Sequence, residues 1–507
     1  VYDVNSNLSD VTIDDLTVTG SLDVNGTIKL DGNYPTGTKN VALGNEALDS
    51  GSLSGGCNTA IGANALTTDT SGNRNVAIGD SAGEQNTTGS SNVAIGSCAS
   101  RSNTTASKNI SIGRRALESN ITGEDNVAIG YVSLFTNTVS NNTAVGSESM
   151  GCTSTGTSNT AIGMQSLCAN TTGTSNVAVG TSALKKNTTL TDNTAVGHEA
   201  LCTVSAGGYN TAIGSKALRV NNTYWNTAIG FEALCDTTSG ATNTAVGARA
   251  MCDNTVGCNN VAVGYGTMSK NTEGFNNTAL GQAALTKNTT ADNNTAVGTT
   301  ALACNTTGAS NTAVGKDTLI ANTTGSSNVA VGKNTLDANT TGGCLTALGQ
   351  GALGANTEGD FNTAVGQAAL GANTTADGNT AVGRLALGAN TTGTENVAVG
   401  FCALTTNITG VNGTAVGNFA LKLNTGDSNS AFGRTALCTN SSGASNTALG
   451  VNALKSNTTA SDNTAVGTAS LFSNTTGASN TAVGRCALNA NTTGTENTAM
   501  GQSALLN

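Results

Sequence analysis

The sequence is poor in proline, in aromatic residues and in charge. Its 507 residues include one proline, 3% aromatic residues and 10% charged residues. A chain with so few large aromatic side chains cannot fill a thick hydrophobic core. Disordered chains, in contrast, are typically rich in proline, glutamate and lysine. Because glycine is abundant, with 65 residues, the composition indicates a thin, repetitive β structure.

Several classes of function lack the residues that they require. The only histidine is His198, and no Ser–His–Asp arrangement, phosphate-binding glycine loop or recurring carboxylate pair is present. We therefore predict that the protein is not an enzyme and uses no cofactor. The net charge is −10 without a basic run, which excludes nucleic acid as a partner. No apolar run approaches the roughly 20 residues of a transmembrane helix, so we expect no membrane insertion.

The 13 cysteines form no CxxC pair and have only one histidine as a possible co-ligand. This pattern predicts no zinc site. A calcium-binding repeat would need aspartate at a fixed spacing, and none recurs.

A 17-residue repeat occupies most of the chain. It occurs in 28 copies, and most copies follow the previous one at a step of 17 residues, with one step of 18 and three of 16. An apolar residue is followed by glycine in all 28 copies and preceded by alanine in 27, with Ser111 as the exception. In one copy the recurring positions are Asn311, Ala313, Val314, Gly315, Leu319 and Asn322.

Each recurring position carries a physical expectation. The glycine position requires a positive φ or a close backbone approach, and the Val/Ile and Leu positions are expected to form the core of the coil. The row of alanines predicts close contact with another copy of the chain, although alanine also suits a narrow interior. The repeated asparagine is expected to form an amide ladder along the stack or to tolerate left-handed backbone geometry.

Together these features predict an all-β protein, a parallel β-solenoid of about 28 coils. Helical solenoids need repeats of about 30 residues or more, whereas 17 residues rich in Thr, Val, Asn and Gly fit two short strands and two turns. With about 4.8 Å between coils, the rod would be about 130 Å long. We assign residues 40–507 to this shaft and residues 1–39, where apolar and polar residues alternate, to a strand-rich lead-in or attachment segment.

The Asn-Thr-Ala-Val-Gly and Asn-Val-Ala-Ile-Gly segments, as at residues 311–315 and 92–96, resemble the head repeats of YadA-like trimeric adhesins. Similar long repeats occur in phage and viral tail fibres. The resemblance covers about residues 40–507 and implies a left-handed β-roll, a homotrimer, an extracellular location and a host receptor or glycan as partner. The family's repeat is shorter, and the Asn-Thr-Thr-Gly segment is the expected extension. The resemblance also implies that a C-terminal chaperone domain was removed.

Two cysteines fall at the same position of adjacent copies. Cys235 and Cys252 are 17 residues apart, which would place their Cα atoms about 5 Å apart, within the disulfide range. The sequence therefore suggests an inter-coil disulfide, and the alternative is that cysteine simply fills a small position.

Asn-Thr-Thr triplets match the N-glycosylation sequon. They are a candidate modification motif, and the alternative is a turn motif that matches the sequon by chance. Examples are Asn103, Asn170, Asn322 and Asn491.

Tyr224 and Trp225 interrupt one repeat. An exposed aromatic pair could bind sugar, but we favour a cap over a shortened, 16-residue coil.

The function expected from these observations is a fibre or adhesin shaft, most directly a viral or phage tail fibre that attaches to a host surface. The first alternative is a bacterial trimeric surface adhesin. The second is a non-adhesive extracellular filament or an ice-binding solenoid. Ice binding would need a flat array of threonine on an exposed strand, whereas most Thr-Thr pairs are expected in turns.

Overall fold

The computed structural model describes residues 38–506. Nearly all of the predicted lead-in segment, residues 1–39, therefore lies outside the described residues. Within them, no helix is long and apolar enough to cross a membrane.

Each coil contributes one three-residue strand to a single parallel sheet of 28 strands. Successive strands pair in register, so that Ala313 lies beside Ala296 and Ala330. The prediction of a parallel β-solenoid with a 17-residue period is confirmed, with 27 turns between the first and last strands. The strands are Val41–Leu43, Thr59–Ile61, Val76–Ile78, Val93–Ile95, Ile110–Ile112, Val127–Ile129, Thr143–Val145, Thr160–Ile162, Val177–Val179, Thr194–Val196, Thr211–Ile213, Thr227–Ile229, Thr244–Val246, Val261–Val263, Thr278–Leu280, Thr295–Val297, Thr312–Val314, Val329–Val331, Thr346–Leu348, Thr363–Val365, Thr380–Val382, Val397–Val399, Thr414–Val416, Ser430–Phe432, Thr447–Leu449, Thr464–Val466, Thr481–Val483 and Thr498–Met500.

The expected second strand of each coil does not generally form. Among the described residues it is present only as the two-residue strands Thr203–Val204 and Val220–Asn221, which pair in parallel. Elsewhere this side of the coil is a turn, yet its backbone still bonds from coil to coil. The Leu319 N–H, for example, donates to the Thr335 carbonyl at 3.0 Å. The coil is thus held to its neighbours through its turns as well as through its strand.

The interior of the coil is lined by alanine and leucine. Ala313 and Leu319 are fully buried, whereas Val314 is half-buried. The two expectations for this strand were therefore wrong: the alanine row packs inside its own coil, and the Val/Ile row lies outside the core. Successive side chains of a strand point to opposite faces, so the middle residue alone faces the narrow interior.

The serine that replaces alanine in one coil shows what the interior requires. Ser111 Oγ lies 2.8 Å from Ser100 Oγ and donates to the Val93 carbonyl at 3.1 Å. Ser100 occupies the position where most coils have leucine. The hydroxyl groups of the two exceptions therefore hydrogen-bond to each other. They lie where the buried apolar core is interrupted, since one cluster of buried residues ends at Ala99 and the next begins at Ala116.

The recurring glycine is required for both of the reasons expected. Gly315 has a φ of 137°, which side-chain-bearing residues rarely adopt. A Cβ atom there would lie 2.4 Å from the carbonyl oxygen of Gly332 in the next coil. The backbones of adjacent coils consequently meet at this corner without room for a side chain.

In most coils three further residues, none of them glycine, have a positive φ, which the pattern did not predict. In one coil they are Ser310, Asp317 and Leu319, with φ values of 60°, 56° and 49°. Such a conformation costs a non-glycine residue about 1–2 kcal/mol. The hydrogen bonds between coils at these positions offset that cost, as the Asp317 N–H does by donating to the Thr299 carbonyl at 3.1 Å.

The two recurring asparagines form buried ladders, as expected. The Asn311 N–H donates to Asn294 Oδ1 at 2.9 Å, and Asn311 Nδ2 donates to the Gly325 carbonyl at 2.9 Å. In the second ladder, Asn322 Nδ2 donates to Asn305 Oδ1 at 2.8 Å. Neither Asn311 nor Asn322 is left-handed, so hydrogen bonding rather than backbone tolerance explains the asparagine.

An aspartate stands at the start of the second ladder. Asp69 is fully buried, and its carboxyl group accepts hydrogen bonds from the Gly72 N–H at 2.9 Å and from Asn58 Nδ2 and Asn86 Nδ2 at 3.2 Å each. Burial raises the pKa of Asp69 from 3.8 to about 7, although the hydrogen bonds from Gly72 and Asn86 favour the charged form.

Asp69→Asn is expected to stabilise the first coils above pH 7 and to remove their pH dependence. The unfolded carboxyl group loses its proton near pH 4, whereas the folded one keeps it up to about pH 7. The folded state therefore binds more protons between these values, and stability falls as the pH rises, by roughly 4 kcal/mol in all. Hydrogen exchange at pH 5 and pH 8, corrected for intrinsic rates, measures this difference. The same pH dependence in both proteins would contradict the assignment.

Candidate binding surfaces

The outward-facing residues of the 28 strands form one continuous surface, which we call the outer face. It consists of the first and third residue of each strand, as Thr312 and Val314 in one coil. The third residue is apolar in every strand, and no strand residue is charged. Several of these side chains are more than a third exposed, among them Val331 and Leu348. The outer face is thus a charge-free strip, about 130 Å long at 4.8 Å per coil.

Threonine lies on this face as well as in the turns. Thr323 and Thr324 lie in a turn, as expected, and Thr323 Oγ1 donates to the Thr340 carbonyl at 3.0 Å. In addition, 18 of the 28 strands begin with threonine. The Thr-Thr pair at Thr323 and Thr324 thus lies in a turn as expected, but single threonines also recur on the outer face.

Three aromatic side chains cluster at the shortened coil. The Tyr209 and Trp225 rings stack with centroids 6.4 Å apart, and the Tyr224 ring lies 5.7 Å from that of Trp225. Tyr209 and Trp225 occupy the same left-handed position of successive coils, with φ values of 61° and 59°. Trp225 is 60% exposed, so it covers little of the coil. The interpretation as a cap is therefore weaker than that of an exposed aromatic platform.

The sequon asparagines belong to the second buried ladder. Asn103, Asn170 and Asn322 are buried, and the Nδ2 atom that would carry a glycan donates hydrogen bonds within the coil. Asn491 is half-buried, and its Nδ2 donates to Asn474 Oδ1 and to the Gly494 carbonyl. The ladder accounts for the recurrence of asparagine at these positions, and glycosylation stays a prediction.

All described cysteines are free thiols. Cys235 and Cys252 lie on adjacent coils, as the repeat predicts, and both are nearly buried. Their disulfide stays a prediction.

No protein-family profile matches the chain, and a comparison with curated proteins finds no match. The similarity to adhesin and tail-fibre repeats consequently remains a resemblance carried by short segments.

Proposed function

We propose that this chain is the shaft of an extracellular fibre, most directly a viral or phage tail fibre, in which three copies associate through the outer face. The observation that carries the proposal is the charge-free strip along all 28 strands, in which the third residue of every strand is apolar. Soluble monomers rarely expose continuous apolar patches larger than a few hundred Å², and larger ones mark interaction sites.

A second copy of the same chain suits this strip better than an unrelated partner. Both surfaces then carry rows of side chains at the same spacing of about 4.8 Å. A contact made at one coil can therefore be repeated at each successive coil. The number three rests on the resemblance to trimeric adhesin repeats.

The aromatic cluster of Tyr209, Tyr224 and Trp225 is the best candidate for contact with a host receptor or glycan. Tyrosine and tryptophan combine a large apolar ring with a polar group and are enriched at the energetic centres of interfaces. These rings are exposed in a chain with only 3% aromatic residues. Trp225 is 60% exposed, which leaves part of its ring free to contact a sugar ring.

Replacing the platform is expected to abolish glycan binding without affecting the rod. On a glycan array, Tyr209→Ala and Trp225→Ala should each lower binding at least tenfold, the loss expected of an interface hot spot. Phe361→Ala is the matched control, because Phe361 is exposed at the same left-handed position of another coil. Equal binding by all variants would contradict the assignment of the platform.

Immunolabelling of the native particle tests the fibre itself. We expect antibodies to this chain to decorate filaments projecting from a virion. Label on a bacterial cell surface would favour the alternative of a bacterial adhesin. Label in neither place would contradict an attachment function.

The threonine row on the outer face supports a second candidate, an ice-binding surface. Threonine and valine on successive strands of a parallel, in-register sheet offer methyl groups and hydroxyl groups at the period of the coil. Thermal hysteresis of the purified chain would favour this function. Burial of the outer face between copies would exclude it, because ice could not reach the threonines.

A further inference from the structure

A group of metal-ligating side chains lies on two adjacent coils in the middle of the rod. Cys235 and Cys252 occupy the same position of successive coils and are 6% and 8% exposed. Asp236 follows Cys235 in the chain, and its side chain is 49% exposed. One ligand atom from each of the three residues lies within 4.8 Å of the other two. Within residues 38–506 this is the one group of this kind.

The distance between two of these atoms fits a tetrahedral ion. Cys235 Sγ lies 3.4 Å from Asp236 Oδ1. An ion bound at about 2.3 Å from sulfur and 2.0–2.2 Å from oxygen places two tetrahedral ligands about 3.5 Å apart. We propose that Cys235, Cys252 and Asp236 bind one divalent d¹⁰ ion, with Zn²⁺ as the reference case, and leave its fourth position to water.

The charges around the group balance when such an ion is present. Two thiolates and one carboxylate carry three negative charges, and the Arg219 guanidinium contributes one positive charge through Nη2, 3.1 Å from Asp236 Oδ1. A divalent cation brings the sum to zero. The neighbouring Lys270 is already paired, since its Nζ lies 2.7 Å from Asp253 Oδ2.

An entry path reaches one of the ligands. Cys252 lines a surface cavity of about 280 Å³ together with Tyr265, Gly266 and Ser269. Gly266 stands where most coils carry a side chain, and a Cβ there would meet nothing within 4 Å. The cavity therefore gives access for the ion and room for a water ligand.

This site does not match a zinc-binding sequence motif. Zinc motifs are recognised by cysteines two to four residues apart, whereas here the ligands are one repeat apart and become neighbours only when the coil closes. The prediction of no metal site rested on spacing along the chain, and our proposal departs from it.

Cobalt(II) titration of the reduced, full-length chain tests the site. We expect one equivalent to produce the thiolate charge-transfer and visible bands of tetrahedral cobalt, which Zn²⁺ then removes. Cys235→Ser and Cys252→Ser should each abolish the bands. Cys438→Ser is the matched control, because Cys438 occupies the same position on another coil, between Lys422 and Lys455, and it should leave the bands intact.

These variants are expected to fold, since the same position holds aspartate or glycine in other coils, as at Asp337 and Gly354. Circular dichroism checks this directly. The absence of tetrahedral bands with the reduced chain would overturn the proposal. Bands that persist in either of the single variants Cys235→Ser and Cys252→Ser would also overturn it, and so would recovery of the two cysteines as a disulfide from the native protein.

Discussion

Gly349→Ala is expected to destabilise the rod by roughly 3–5 kcal/mol, through backbone strain and a steric clash together. Gly349 has a φ of 127°, and a Cβ there would lie 2.7 Å from the carbonyl group of Gly366 in the next coil. Neither backbone can retreat without breaking the bonds between coils. Because each coil contacts only its neighbours, we expect the rod to divide into two separately melting parts.

Gly351→Ala in the same coil is the matched control. Gly351 is also left-handed, with a φ of 65°, but a Cβ there would meet nothing within 4 Å. The equivalent position already holds alanine at Ala368, with a φ of 52°. Its substitution should therefore cost about 1 kcal/mol. Denaturant unfolding of both variants measures the difference, and equal effects would contradict the close approach of adjacent coils.

Aspartate on the outer face is expected to dissociate the assembly while the coil stays folded. In a trimer these carboxylates would be buried without partners, which costs several kcal/mol. Since the replaced side chains are only partly buried in the single chain, its own core is unaffected. Sedimentation of a dilution series should show dissociation at concentrations at least about 100-fold higher than for the unmodified chain. The substituted residues are Leu280, Val297, Val314 and Val331.

The control adds the same charge to an exposed turn of the same coils. Its oligomeric state should equal that of the unmodified chain, because the turn lies away from the outer face. If both variants dissociate alike, net charge rather than the outer face governs association. If neither does, the outer face is not the interface. The control substitutions, each to aspartate, are at Thr290, Thr307, Thr324 and Thr341.

The period of the repeat was enough to predict the solenoid, because a 17-residue spacing with glycine in every copy leaves few other folds. It was not enough to decide which strand residue faces inward. Ala313 and Val314 are both apolar, and a three-residue strand offers no alternation with polar residues that would fix the phase. Only the width of the closed coil, which admits alanine or serine at this position and no larger side chain, decides between them.

The binding surfaces were predicted less completely, since they depend on contacts between coils. The pairing of Cys235 with Cys252 follows from the period, but the contribution of Asp236 does not. Asn322 matches the sequon but belongs to the second asparagine ladder. The sequence indicates that ladder by the recurrence of asparagine every 17 residues. Trp225 was assigned to a cap from the sequence alone. Its stacking on Tyr209 could not be predicted, because it depends on the register of a 16-residue coil.

Cryo-electron microscopy of the purified chain tests the central claim most directly. Each chain of 49.7 kDa should form coils spaced about 4.8 Å apart in a rod about 130 Å long. The account predicts three such rods side by side, with the strand containing Val314 of each facing a common axis. Single rods with this strand facing solvent would contradict it.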